Sequence, residues 1–156
     1  MKERAGGKKR ALLLGLEGRV CAVPLAHVIE TMRPLPVEVV SGVPAFVLGV
    51  AIIRGVPTPV VDLGAVLGMP IQRAERFVTI RAGERQVALS VNSVLGVREI
   101  ETIAAIGGLP PLLQGAAENA LERIGALDEQ VLVVLRDGWE LPSEVWEAMT
   151  AQEAVS

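Results

Sequence analysis

One histidine, one cysteine and no tyrosine leave this 156-residue chain short of the parts that nucleophilic or metal chemistry needs. A Cys–His pair would have to be Cys21 with His27, and each sits in an apolar run. In that setting Cys21 reads as a small buried hydrophobe and His27 as a structural or surface residue at a strand break. Metal ligation needs His or Cys residues at ligand spacing, and no such pair exists. Asp62-Leu63-Gly64 has the outline of half a paired-carboxylate site, but Leu63 stands where a hydroxyl would be needed. The later Leu135-Arg136-Asp137 offers no matching half. Asp62 reads instead as the cap of a short helix that follows it. No Gly-x-Gly-x-x-Gly set follows a strand, so no phosphate cradle is indicated. The residue best placed to act is Arg54, which can meet a carboxylate on a partner.

Arg54 and Gly55 must be carried by a hairpin. In Phe46 to Gly64, two β-branched apolar runs meet at this single Arg-Gly step and end at Asp62. Apolar residues fill both faces of the runs rather than alternating, which predicts two almost wholly buried strands. Gly55 supplies the positive φ of the reversal without a Cβ clash. An arginine at the mouth of such a hairpin must stay wet or paired.

The elements around the hairpin follow an internal repeat. Leu16 to Ile29 lies over Ala82 to Leu95, each copy giving a strand, a charged Gly-containing turn, a second strand and a short break. Leu48-Gly49-Val50-Ala51 then matches Ile124-Gly125-Ala126-Leu127, and Pro59-Val60-Val61 matches Leu132-Val133-Val134. Each half supplies about five short strands, enough to close on themselves and remove exposed edges. The expected fold is mostly β: two pseudo-repeated five-stranded SH3-like barrels, one per half and packed together, with a C-terminal helix. The expected division is a flexible basic arm at 1–10, a first barrel region at 11–34 plus 35–75, a second at 76–137, and a helix and tail at 138–156. Leu63 to Leu67 predicts a turn or two of helix. Pro142-Ser143-Glu144 predicts the start of the terminal helix, whose Leu141, Val145 and Met149 share one face and should dock on the body. Gly107 to Gly115, dense in Pro and Gly, predicts a loop. Gly49 and Gly125 hold matching places, so a small residue is demanded twice. The neighbour that demands it is either the chain's own barrel or a partner. The expectation is a binding defect for Gly49→Asp and a stability defect for Gly125→Asp.

Composition bounds the rest. Hydrophobic residues make up 51% and aromatics 3%, so the core must be built from Val, Leu, Ile and Ala. A net charge of −3 argues against general nucleic-acid binding, which rests on phosphate neutralisation. A single cysteine precludes an internal disulfide and fits a reducing compartment. The uncharged stretch Val39 to Ile53 is too short to span a bilayer and contains Pro44. Lys2, Arg4, Lys8, Lys9 and Arg10 are followed by too short an apolar region for a signal peptide. A cytoplasmic protein without membrane insertion is expected.

The Arg-Gly hairpin resembles the CheW family of chemotaxis coupling proteins, in which Gly-Val-x-Asn-Leu-Arg-Gly-x-x-x-Pro-Val-x-Asp-Leu occupies this place. The resemblance extends over about residues 11–137. It includes Val28-Ile29-Glu30, the lead-in from Gly42 to Gly49, and Gly125-Ala126-Leu127. It implies the double-barrel fold and no enzymatic activity, cofactor or metal. It also implies an adaptor between the cytoplasmic tip of methyl-accepting chemoreceptors and the regulatory domain of the histidine kinase CheA, in membrane-associated arrays. Carried over, the partner-binding residues are Val28, Glu30, Gly49, Arg54, Gly55 and Val97, with the seam between the barrels as a groove for a helical receptor tip. Ile52 replaces the family's Asn, and Asn92 stands where its second half has Asp. Arg136-Asp137-Gly138-Trp139 replaces the common helix start. These departures admit a second reading, a divergent module serving a non-standard array such as one controlling pili or another output.

Overall fold

The computed structural model describes residues 6–104, 121–127, 130–135 and 139–155. The expected loop from Gly107 to Gly115, and Arg136 to Gly138, lie outside the described residues. In chain order the elements are β1 (Gly6–Leu16), β2 (Arg19–Pro24), a 3-10 turn (Leu25–His27), β3 (Val28–Met32), β4 (Val47–Ile53) and β5 (Val56–Asp62). There follow α1 (Leu63–Val66), β6 (Arg76–Ala82), β7 (Arg85–Val91), β8 (Ser93–Ala104), β9 (Leu121–Leu127), β10 (Gln130–Leu135) and α2 (Ser143–Val155).

The strands form two five-stranded units, as the repeat predicts. One is a closed barrel in the order β1-β2-β10-β9-β8, and the other a sheet in the order β3-β6-β7-β5-β4. The units do not follow the expected division at residue 75. Each takes the leading hairpin of one repeat and the three later strands of the other. Each exchanged hairpin is joined by one parallel pair, β2 with β10 or β7 with β5, and one antiparallel pair, β1 with β8 or β6 with β3. The cause is local: the 3-10 turn after β2 and the step at Asn92 after β7 send the chain across to the other sheet.

The hairpins β1–β2 and β6–β7 are therefore buried on both faces. Ala11, Leu13 and Ala22 fill the closed barrel with Ile100 and Val134. Phe77 and Ala88 fill the other unit with Ala51, Ile53 and Val60. Their alternate residues, Leu12, Leu14, Cys21 and Val23 from one sheet and Val78, Ile80, Val87 and Leu89 from the other, meet in the seam between the units. Trp139, Leu141, Val145 and Met149 join that seam cluster, so α2 docks by its expected face.

Three expectations need correction. The second unit is not closed: β3 and β4 are its edges, and the chain between them covers β4 only where Glu38 and Val50 exchange backbone hydrogen bonds of 2.8 Å. Gly6 to Arg10 are not a flexible arm but the first half of β1, with Lys8 opposite Glu101 and Arg10 opposite Glu99 on β8. The strand that pairs with them lies far along the chain, so a local reading of the basic residues does not reveal it. The Arg54 hairpin is not wholly buried: Ile52 is 61% exposed and Val56 49%.

Candidate partner-binding surface

The turn between β4 and β5 consists of Arg54 and Gly55 alone. Both have positive φ, 51° and 78°, as a two-residue type I′ hairpin turn requires. Gly55 does what its residue type predicts. Arg54 is the only non-glycine residue at positive φ among those described, a backbone state that costs an L-residue about 1–2 kcal/mol.

The guanidinium of Arg54 does not stand alone, contrary to its appearance in the sequence. Its Nε and one terminal nitrogen donate to the two carboxylate oxygens of Glu30 on β3, each at 2.8 Å. Such a forked pair fixes direction as well as distance. The hydrogen bond from Arg54 holds the Glu30 carboxyl below its ordinary value, and the same bond raises the arginine. Glu30 lies on edge strand β3 and Arg54 directly follows edge strand β4, so their pair bridges the two edges at the hairpin tip. The arginine side chain remains 78% exposed. A planar charge with its Glu30 partner is thus displayed at the hairpin tip, two residues from exposed Ile52.

Val28 and Val97 form a different surface. Val28 lies opposite Ile80, whose side chain is in the seam. Val97 lies opposite Leu12, another seam residue. Directly opposed residues share a face, so both valines face the seam, one from each sheet. Val97 is 41% exposed, with Leu95 beside it at 53%. By the repeat, Leu95 is the counterpart of Ile29, which is 44% exposed.

Gly49 belongs to neither surface. Its φ is +147°, in the glycine region, and a Cβ there would run into the Glu38 carbonyl oxygen and stand 2.8 Å from Val37 Cγ1. The neighbour that demands glycine is the chain's own edge cover. The six residues singled out from the sequence therefore divide into Glu30, Arg54 and Gly55 at the open edge, Val28 and Val97 at the seam, and Gly49 against its own backbone. Ile29, Val56 and Leu95 went unnoticed because residue type alone does not distinguish an exposed apolar side chain from a core one.

The remaining reactive side chains are spoken for. Cys21 is fully buried, which pushes its thiol up to about 12. The Asp62 carboxylate, 2% exposed, accepts from Ala65 N at 2.8 Å, capping α1 as expected, and from Gln72 N at 3.0 Å. Among the described residues no three His, Cys, Asp or Glu side chains cluster where they could hold a metal ion. No described helix is long and apolar enough to cross a membrane.

A profile of the CheW-like domain matches residues 10–138, most of the chain. The protein belongs to the CheW-like domain family. The fold agrees with a solved relative, the scaffolding protein TtCheW from Thermoanaerobacter tengcongensis, at a TM-score of 0.71 and 18% identity. That match covers 86% of this chain and 98% of the other. A search of curated proteins finds no significant match. Within this CheW-like domain the open-edge pair and the seam are the two candidate partner surfaces.

Proposed function

We propose that this CheW-like protein is a non-enzymatic adaptor that couples the cytoplasmic tip of chemoreceptors to the regulatory domain of the histidine kinase CheA. The observation that carries the reading is the Arg54–Glu30 pair, displayed at an open barrel edge with exposed Ile52 close by in the hairpin. Open edges and apolar tips are surfaces that accept another strand or barrel. A hairpin tip of this kind suits the kinase domain, itself CheW-like. The seam flanked by Val28 and Val97 suits a receptor helix, laid against the apolar margin of two sheets. That TtCheW, similar in fold, is a scaffolding protein agrees with this role. The adaptor would act in the cytoplasm, at membrane-associated receptor arrays. Exposed Ile52, where the family has Asn, favours a second reading in which the partner at this tip is an apolar-faced variant serving pili or another output.

The test is Arg54→Ala and Arg54→Glu in a pulldown against the kinase regulatory domain and a receptor cytoplasmic fragment. Binding should weaken by roughly 1–3 kcal/mol, the size of a partly desolvated charge contact. Thermal melts should stay near wild type, because an exposed ion pair contributes little to stability. A melt that falls in step with binding would make Arg54 structural and sink its role in coupling.

A further inference from the structure

A groove of about 750 Å³ lies between α2 and the hairpin tips of the open unit. Ile29 from β3, Val56 and Pro57 from β5, and Trp146 and Met149 from α2 line it. Isolated exposed apolar side chains need no explanation, but here two of them, Ile29 and Val56, converge on one concavity. Arg54 is not part of its lining.

The groove also carries positive charge. Arg85 is held in place, its guanidinium 4.5 Å from the centre of the Trp146 ring. Arg81 lines the same groove from β6, opposite Gln86 on β7. Among the described residues the Arg81 side chain has no ion pair or hydrogen bond. Glu84 is the single acidic residue in the lining, so two guanidiniums face one carboxylate. An uncommitted arginine beside an apolar floor is suited to a carboxylate, because the apolar rim excludes water from the contact. The groove is open along one side, which suits a length of chain rather than an enclosed small molecule.

We propose that this groove docks a partner protein segment carrying an apolar anchor beside a carboxylate. Ile29, Val56 and Met149 take the anchor, and Arg81 takes the carboxylate. Trp146, fixed under Arg85, forms the wall. The site is separate from the Arg54–Glu30 pair and from the Val28–Val97 margin, and it stands whether or not those surfaces bind a kinase and a receptor.

The experiment uses the full chain, labelled with 15N, and an amphipathic peptide with a leucine stripe flanked by glutamates. Its counterpart has every glutamate replaced by glutamine. The two tryptophan indole N–H signals serve as reporters, Trp146 in the groove and Trp139 in the seam. The acidic peptide should shift Trp146 saturably and leave Trp139 in place. The glutamine peptide should bind about tenfold more weakly, the effect of one lost charge contact. Arg81→Glu should abolish the preference with an unchanged melt, Arg81→Gln should reduce it, and Arg54→Ala should leave the titration as in wild type. Equal affinity for the two peptides, an acidic peptide that does not move Trp146, or an Arg81→Glu protein that keeps the preference would overturn the proposal.

Discussion

At the residue scale, Arg54 combines a left-handed backbone, a forked bond to Glu30 and a side chain open to solvent. A stability role explains this poorly, since exposed pairs are screened and contribute little. Fixing the guanidinium plane does explain it, because a planar donor held in one direction loses less freedom when a partner arrives. The pair has a pH signature. Glu30 is held below its ordinary value of 4.5, first by the Arg54 hydrogen bond. A depressed carboxyl contributes its stabilisation above the unfolded-state value and loses it as pH falls through the folded-state value. The Glu30 carboxyl, followed by NMR, should therefore titrate below 4.5 in wild type and return toward 4.5 in Arg54→Gln. The thermal melts of the two proteins should stay close throughout, the small contribution of an exposed pair vanishing in acid below that range. Identical Glu30 midpoints in both proteins would mean that the pair does not form in solution. The sequence singled out both residues yet did not show that they meet, since their contact depends on a gap between strands that neither residue type encodes.

At the element scale, β4 is the strand on which the open edge depends. Its apolar run and the Arg-Gly step were legible, and so was the hairpin. The exposure of its tip was not, because Val, Ile and Pro look alike whether they face a barrel interior or solvent. Pro57 and Pro59 carry some of that information. They lie opposite Ile52 and Val50, and Val50 turns its polar groups outward to Glu38. Both prolines thus sit where no ladder bond to β4 is asked of them. Gly49 sits beside that edge cover, at a register shift between Val47 and Gly49. The expectation that Gly49→Asp would chiefly impair partner binding is at odds with this geometry. A side chain there must displace Glu38 and Val37 and adopt a φ of +147°. Gly49→Asp should cost on the order of 3 kcal/mol or more, through strain and a charge pressed against a carbonyl oxygen. Gly49→Ala should share the strain without the charge and cost less. In thermal melts both should fall below Arg54→Ala, with any loss of binding following the loss of fold. A Gly49→Asp protein that melts like wild type would show that the 37–38 segment moves aside freely.

At the scale of the whole molecule, the count of strands, the repeat and the docking face of α2 were all readable from hydrophobic pattern and turn residues. The assignment of strands to barrels was not. The β1–β2 hairpin is apolar on both faces, with Ala11, Leu13 and Ala22 turned to a barrel interior and Leu12, Leu14 and Cys21 to the seam. Such a hairpin fits either set of three later strands by pattern alone, and the short steps at Leu25–His27 and Asn92 decide the matter. The exchange has a consequence for folding. Cutting the chain after residue 75 leaves β1–β5 on one piece and β6–β10 with α2 on the other. Each piece then holds a hairpin whose sheet partners, β8 and β10 for β1–β2 or β3 and β5 for β6–β7, are on the other piece. Within the first piece β1–β2 keeps no sheet, and β3 loses its ladder to β6. A hairpin alone is marginal in water, and these would expose apolar surface on both sides. Fragments 1–75 and 76–156 should therefore each lack a cooperative thermal transition. Mixed in equal amounts, they should regain the β-rich circular dichroism spectrum and one transition below that of the intact chain, since association now opposes folding. A fragment 1–75 that melts cooperatively by itself would mean that its own five strands close together, and the exchanged arrangement would then be wrong.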